Sequence, residues 1–487
     1  MAFEELKKVR LEKLERLKKA GLNVFPEKAA FGLSEIAGIK KDFRRYARSK
    51  KSPAMGGRIL AKREHGGSIF IDLFDGSAKL QAFFAKDKIG GESFKLFSEN
   101  IDIGDFIAVS GRAFYTKKKE PTLEVSRWQI LAKALRPLPE KWHGLSDVEE
   151  RFRRRYLDIL MNEEVRDRFI IRSKIIREFR SALDKENFIE VETPVLQNIA
   201  GGALARPFAT HHNALNLDLY LRIAPELYLK RLLVGGFERV YEIGKVFRNE
   251  GIDHSHNPEY TLLELYAAYW EEEKMMEFVE KIFLAITKKI LGKKPLQKEG
   301  KKIVLNKKFP RISFREILKR HAFVLEYDKE TESSLKLKAR QFGLEVADHM
   351  SKGKIADEIF DKVCRPKLLN PTFVTELPLD ISPLAKGLNQ DFVRRFNLIV
   401  GGNEIADGWA ELNDPVEQSR RLEEHEKLRK AGEEEAHRFD DEFIEAMEYG
   451  MPPTAGVGIG IDRLVMLLTD TSNIKEVILF PTLKPKE

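Results

Sequence analysis

The sequence predicts an α+β fold in two parts: a small closed β-barrel, then a larger domain in which strands and helices alternate. Three observations predict it. Between Gly57 and Lys133, short alternating segments (RILAK, SIFIDLFD, KLQAFFAK, DFIAVSGRAFY, TLEVSRWQIL) are punctuated by Gly66-Gly67, Asp75-Gly76 and Gly90-Gly91, the spacing of a small barrel. Leu135-Arg136-Pro137-Leu138-Pro139 then stops strand and helix alike and reads as a linker. Beyond it, strands and helices alternate with no internal repeat and no phosphate loop of either common type. Gly456-Val457-Gly458-Ile459-Gly460 lacks the Lys-Ser/Thr of a P-loop and the spacing of a dinucleotide fingerprint, which disfavours a doubly wound nucleotide-binding fold.

Each element follows from local pattern. Residues 1–20 carry Leu6, Val9, Leu14 and Leu17 among alternating charges, an amphipathic helix. Lys40 to Lys51 (KKDFRRYARSKK) holds seven basic residues against one acid, either a solvated face or a contact for nucleic-acid phosphates. Ser146 to Glu190 reads as helical, with Ile171, Ile175, Ile176, Phe179 and Leu183 at helical spacing. Glu271 to Leu291 reads as another helix. Residues 415–447 are strongly charged and helical in pattern, with Glu433 to Glu435 expected to be exposed. The expected boundaries are 1–52 for a helical basic extension, 53–134 for the barrel, 135–148 for the linker and 149–487 for the second domain.

Composition narrows the function classes. The chain has 487 residues, of which 43% are hydrophobic, enough to build buried cores. Its net charge of +8 is compatible with a polyanionic partner. The single cysteine, Cys364, excludes an intrachain disulfide and a cysteine-based zinc site. No apolar run approaches the roughly 18 residues of a membrane span. Met1 to Leu17 carries Glu4, Glu5, Glu12 and Glu15 with no apolar core, so neither a secretory signal nor a transit peptide is expected. A soluble cytoplasmic protein, without membrane contact, is the expectation.

Three segments carry chemistry. The first, Phe188 to Pro194, reads as a strand ending at a proline. The second runs from Arg239 to Gly251, through a polar loop, to Glu259–Trp270, and reads as a hairpin with a long turn. Strand parity places Tyr260, Leu262, Glu264 and Tyr266 on one face. A buried carboxylate there needs a partner, so this face is either a rim with a structural ion pair or a pocket floor that receives a cation. In the third, Pro453 to Leu468, the glycines permit close approach to the backbone. Asp462 is expected to cap the following helix, and Arg463 to sit in its first turn.

Together these segments resemble the three signature motifs of class II aminoacyl-tRNA synthetases (subclass b), and most closely the lysyl-tRNA synthetase family. The resemblance covers nearly the whole chain: KALRPLP, GGALARPF, THHNALNLDLYLRIAPELYLKRLLVGGFERVYEIGKVFRNEG, HNPEYTLLELY, ELND and PPTAGVGIGIDR. It implies an N-terminal OB-fold that reads an anticodon, an antiparallel catalytic sheet flanked by helices, and a homodimer built through the first motif. It also implies ATP-dependent activation of L-lysine to lysyl-adenylate, then transfer to the 3′ end of tRNA(Lys).

The same resemblance implies roles for residues. Arg248 contacts the α-phosphate and the substrate carboxylate, and Arg463 the γ-phosphate; these are the expected catalytic pair. Glu250, His256, Asn257, Tyr260, Glu404 and Gly460 complete the ATP site, Tyr260 stacking on adenine. Glu404 is the expected ligand for Mg2+, which prefers carboxylates with phosphate oxygens. Gly202, Glu226, Glu264, Tyr266, Asp407, Trp409 and Glu411 form the lysine site: Glu226 binds the α-amino group, and Glu264, Glu411 and Tyr266 the side-chain ammonium. Arg63, Phe70, Gln81 and Glu120 resemble anticodon-reading residues; otherwise Phe70 is barrel core and the other three surface. Two positions depart from the family pattern. Asp407 stands where asparagine is common, and would repel the substrate carboxylate unless protonated, turned away or paired with a cation. Asn397 replaces a second metal-binding glutamate.

Rival readings are a synthetase for aspartate or asparagine, a lysine-activating paralogue with another acceptor, and an OB-fold RNA-binding protein with a degenerate catalytic domain. The first would want a cation in the pocket where Glu264 and Glu411 stand. The second generally lacks the barrel. Arg248, Glu404 and Arg463 speak against the third.

Overall fold

The computed structural model describes residues 3–49, 51–139, 147–347, 350–430 and 436–486. Glu433 to Glu435 and half of the expected linker (140–146) lie outside them. The chain divides into two compact units, Met1–Leu145 and Ser146–Glu487.

In the first unit, five strands close a barrel: β1 (Ala54–His65), β2 (Ser68–Phe74), β3 (Lys79–Ala85), β4 (Phe106–Tyr115) and β5 (Pro121–Ala132), in the order β1-β2-β3-β5-β4. Alternation sets the two faces. Along β2, Ile69, Ile71 and Leu73 point inward and are fully buried, while Phe70 and Asp72 face outward. The N-terminal helix Phe3–Lys19 and the two short helices Ile36–Lys41 and Phe43–Arg48 share the barrel's core through Leu14, Leu17, Ile36, Ile39 and Phe43. A helix of mixed charge thus finds an apolar face to cover, which supplies most of its stability. Lys133 is buried beneath the barrel and satisfied by Asp102 (2.6 Å) and Asp105 (2.7 Å).

The second unit is built on an eight-stranded sheet. Its members are β6 (Ile189–Glu190), β10 (Arg239–Phe247), β11 (Glu259–Ala268), β14 (Arg311–Ser313), β15 (Thr372–Pro378), β16 (Phe392–Val400), β17 (Asn403–Ala410) and β18 (Thr454–Gly460). The short strands β7 (Leu196–Gln197), β8 (Ala209–His212) and β9 (Leu217–Leu221) form a separate three-stranded sheet, and β12 (Gln297–Lys298) and β13 (Lys301–Lys302) a two-stranded one. The order β14-β15-β16-β17-β18-β11-β10-β6 is antiparallel except at its two edges, where β14–β15 and β10–β6 run parallel. Antiparallel pairs join by short connections, so no phosphate-binding crossover loop is needed.

One face of this sheet is packed. Helix Glu272–Leu291 presents Met275, Val279, Ile282, Phe283 and Ile286 at helical spacing, and these join Leu263, Leu265, Val457 and Ile459 of the sheet in one core. Helix Glu163–Lys185 adds Ile175, Phe179 and Leu183. The expected single helix across Ser146 to Glu190 is three, Val148–Arg153, Arg155–Met161 and Glu163–Lys185, ending in the edge strand β6. The charged 415–447 region contributes helices Pro415–Lys430 and Asp441–Glu448.

Candidate active site

The other face of the sheet carries a cavity of about 320 Å³. The hairpin β10–β11 supplies one wall. Because side chains alternate, Leu263 and Leu265 enter the core while Tyr260, Leu262, Glu264 and Tyr266 all line the cavity. β18 pairs with β11 (Glu264 opposite Gly458, Tyr266 opposite Gly456), so the glycines lie beneath these side chains. A Cβ on Gly456 would stand 2.3 Å from the Tyr266 ring and 2.4 Å from Glu411 Oε1. The bare backbone there is what leaves room for both.

At one end of the cavity stand Arg248, Arg463 and Glu404. Arg248 follows β10 directly. Its guanidinium carbon lies 5.4 Å from the Tyr260 ring centre, and its Nε has no hydrogen-bond partner among the described residues. Burial opposes its charge, but Tyr260, Glu250, Glu264 and Glu404 together hold the proton more firmly than usual. Arg463, third residue of helix Ile461–Leu468, donates to Glu404 Oε1 (3.3 Å) and approaches His256 Nε2 (3.4 Å). His256 is oriented by Asp253 through Nδ1 (2.9 Å). Asn257 spends its amide NH2 on the Glu259 carbonyl (2.7 Å) and leaves Oδ1 buried with no partner. Glu250 and Gly460 also line the cavity.

Asp462 does not cap its helix. Gly460 is the N-cap residue, and the Asp462 carboxylate accepts from the Thr261 backbone N–H (2.6 Å) and from Arg172 (2.6 Å). It sits too far inside the helix to cap, and fastens that helix to β11 instead.

Another part of the cavity wall is acidic. Glu226 opens helix Glu226–Val234, and Gly202, with φ +85°, packs against it. Glu264 is buried and accepts from the Tyr266 hydroxyl (3.2 Å). Burial and the neighbouring Glu226 push the Glu264 carboxyl well above the usual carboxylate range. Glu411 does not line the cavity. Its Oε2 is held by the Trp409 indole N–H (2.7 Å) and by Lys230 (2.5 Å), while Oε1 is buried without a partner. Burial pushes the Glu411 carboxyl up to about 8 against the pull of Lys230.

Lys230, which no motif in the sequence singles out, bridges Glu226 and Glu411. Its i,i+4 spacing from Glu226 was a legible signal. Arg395 lies outside the signature strings altogether. It grips Asp407 through two parallel bonds, Nε to Oδ1 at 2.9 Å and Nη2 to Oδ2 at 2.8 Å. Of the alternatives for Asp407, the structure therefore has pairing with a cation. Asn397 lies directly across from Asp407 in the β16–β17 register, and its amide donates to Glu404 Oε2 (3.1 Å). The two departures from the family pattern are thus cross-strand neighbours. His437 lines the cavity as well, and burial lowers its pKa well below the usual imidazole value. Among the described residues no group of three or more His, Cys, Asp or Glu is arranged to hold a metal.

On the barrel, Phe70 is not core. It faces outward, half-buried, 4.7 Å from the Phe83 ring, which is itself 6.2 Å from Phe114. Arg63 is exposed and pairs with Asp72 (3.2 Å); Gln81 accepts from Thr122 (2.9 Å); Glu120 is exposed in the β4–β5 turn. The row Phe70, Phe83 and Phe114 was legible only in part, because Phe83 and Phe114 sit in strands whose outward face depends on register.

Residues 147–484 match the family model described as tRNA synthetases class II (D, K and N), and residues 54–131 the one described as OB-fold nucleic acid binding domain. The fold and cavity thus define a class II synthetase catalytic domain, preceded in the chain by an OB-fold. Over 489 residues the chain is 47% identical to the lysine–tRNA ligase of Moorella thermoacetica, covering 100% of this chain and 99% of the other. It is 47% identical to that of Carboxydothermus hydrogenoformans, with 100% and 99% covered, and to that of Aquifex aeolicus, with 93% and 76% covered. The chain belongs to the lysine–tRNA ligase family of the class II tRNA synthetases.

Proposed function

We propose that this chain is an ATP-dependent lysine–tRNA ligase acting on L-lysine and tRNA(Lys). The observation that carries the substrate is the acidic part of the cavity, Glu226 and Glu264 on its wall and Glu411 beside them, together with Arg248. Lysine is an amino acid with an ammonium at each end, and this arrangement offers carboxylates to both and a guanidinium to its carboxylate.

In the first step a lysine carboxylate oxygen attacks the α-phosphorus of ATP, and the bond to the pyrophosphate oxygen breaks. No general base is required, because the nucleophile is already ionised at neutral pH. The need is for positive charge around the phosphates. Arg248, with its free Nε, reaches the α-phosphate and the substrate carboxylate; Arg463, steadied by Glu404 and His256, reaches the terminal phosphate. Tyr260 offers a face to adenine, with Asn257 Oδ1 as an acceptor for its exocyclic amine, and Glu250 beside it. Glu226 takes the α-ammonium, with Gly202 leaving room for the substrate backbone. Glu264 and Tyr266 on the cavity wall take the side-chain ammonium, with the charge of Glu411 behind them, held in place by Trp409 and Lys230. In the second step the terminal ribose hydroxyl of tRNA attacks the activated carbonyl carbon, loses its proton and displaces AMP.

The oxygen donors present, one carboxylate of Glu404 facing the arginines, fit a magnesium ion that takes its other ligands from phosphate and water. When bound, the ion supplies further charge neutralisation on the phosphates. The outward Phe70, Phe83 and Phe114 with Arg63, Gln81 and Glu120 fit stacking and hydrogen bonding to unpaired anticodon bases. Exposed Ile189, Val195 and Leu196 in the first-motif segment support a homodimer. Among the described residues no helix is long and apolar enough to cross a membrane, and a cytoplasmic location goes with the reaction. The test is amino-acid-dependent pyrophosphate exchange across all twenty amino acids. Lysine alone should support rapid exchange; exchange with aspartate or asparagine, or none, would refute the reading.

A further inference from the structure

We infer that Lys230 is a positioning residue for amino-acid recognition: its buried ammonium, bridging Glu226 and Glu411, cancels one of three carboxylate charges and leaves two for the two ammonium groups of the substrate. The inference rests on the proposed function and deepens it.

Glu226 and Lys230 are one turn apart on helix Glu226–Val234, while Glu411 comes from the far end of β17. Lys230 Nζ lies 2.5 Å from Glu226 Oε1 and 2.5 Å from Glu411 Oε2, and the three side chains are at most 1% exposed. The Trp409 and Phe443 rings stand 6.0 and 5.9 Å from the ammonium. Neither Lys230 nor Glu411 lines the cavity, so Lys230 acts through its two glutamates. Of the remaining oxygens, Glu226 Oε2 and Glu264 Oε1 belong to side chains on the cavity wall, Glu264 Oε2 accepts from Tyr266, and Glu411 Oε1 is buried behind them with no partner among the described residues.

An isolated buried ammonium is expensive, and two facing buried carboxylates cannot both stay ionised. Sharing one cation between two carboxylates solves both problems. Without Lys230, one of Glu226 and Glu411 would take up a proton and cease to attract an ammonium. The other charged or titratable groups facing this cluster are Glu264 and Tyr266 from β11, Arg248, the closed Arg395–Asp407 pair and the neutral His437. Among the described residues, none of these makes a hydrogen bond or ion pair to Glu226 or Glu411 in place of Lys230.

The test is lysine-dependent pyrophosphate exchange by the full chain from about pH 6 to 9, on Lys230→Met, Lys230→Arg and the double variant Lys230→Met/Glu411→Gln. Lys230→Met should raise the KM for lysine about thirtyfold or more, with the KM for ATP within about threefold, as expected when a buried ion-pair partner is removed. The pH midpoint of kcat/KM for lysine should move upward. Lys230→Arg, which keeps the cation, should return the midpoint to that of the wild type. Should Lys230→Met fail to fold, the double variant decides, because it removes one buried charge of each sign. Its midpoint should match the wild type, and a displaced midpoint overturns the inference. So does a folded Lys230→Met with wild-type KM and midpoint. Absence of lysine exchange in the wild type would instead refute the proposed function.

Discussion

Asp407 and Glu411 lie four residues apart on one stretch of chain, the first half-buried and the second buried, and each carboxylate is held by a cation from a different element, Arg395 and Lys230. For Asp407 the pairing is bidentate, which keeps its charge away from the substrate carboxylate. Asp407→Asn would leave the Arg395 guanidinium, still anchored by the Ile381 carbonyl and the Ser382 hydroxyl, without its neutralising carboxylate beside the cavity. We expect exchange activity to fall at least about tenfold, a loss of roughly 1.4 kcal/mol or more; activity at the wild-type level would mean that the aspartate is merely tolerated. Glu411→Gln leaves Lys230 with one carboxylate instead of two. Breaking a buried ion pair by removing one partner costs about 3–5 kcal/mol, which corresponds to a rise of roughly a hundredfold or more in the KM for lysine. A KM unchanged in pyrophosphate exchange would remove Glu411 from recognition. The acidic part of the wall also sets a pH dependence. Glu264, hydrogen-bonded to Tyr266 rather than ion-paired, is raised well above the usual carboxylate range by burial and Glu226. It holds a proton in the empty site and must release it to face an ammonium. Lysine binding is therefore coupled to proton loss. The KM for lysine should fall as pH rises from about 6 to 8, by at most about tenfold per unit for each proton released. A KM that rises over that interval contradicts the assignment.

At the scale of elements, β18 decides how deep the site can be. Its glycine at 456 lets the Tyr266 ring and Glu411 Oε1 lie against bare backbone, with no Cβ between. Gly456→Ala would drive a methyl group to within 2.3 Å of that ring. The ring can yield only into the cavity that it lines, which is the space a bound lysine would need. We expect the KM for lysine to rise more than about tenfold, a cost of roughly 1.4 kcal/mol or more, while the protein stays folded, checked by exchange kinetics together with circular dichroism. The helix after β18 illustrates how an element can be read correctly and its cap incorrectly. The helix begins at Ile461, ahead of the expected cap, and Asp462 serves β11 rather than the helix N-terminus, accepting from the Thr261 backbone N–H at 2.6 Å. A tertiary partner displaced the local one.

For the whole molecule, the first unit carries two different kinds of surface. The barrel turns Phe70, Phe83 and Phe114 outward, and the helices Ile36–Lys41 and Phe43–Arg48 expose Lys40, Lys41, Arg44, Arg45 and Arg48. The first surface suits base stacking, the second phosphate contact. Phe70→Ala should raise the KM for tRNA in aminoacylation about tenfold, since one stacked base is worth roughly 1–3 kcal/mol. Binding of tRNA should also weaken steeply as salt rises from about 50 to 200 mM. A tRNA KM insensitive to Phe70 would return that residue to a structural role.

Period and punctuation in the sequence were enough to determine the barrel, the strand–helix alternation, the β10–β11 hairpin and the shared face of Tyr260, Leu262, Glu264 and Tyr266. These depend on side-chain alternation within a few residues, which the chain carries in its own order. The signature strings determined the family, because each places several chemically committed residues at fixed spacing. Only the tertiary structure decided which charges meet. Lys230 and Glu411 come from distant parts of the chain, and Arg395 reaches Asp407 across a strand register, so both pairings required the sheet to be assembled. The same holds for Asn397 opposite Asp407, and for the outward row of barrel phenylalanines. Burial then did the rest: in water these carboxylates would differ little from any others, and it is their enclosure with a limited number of cations that makes the cavity selective.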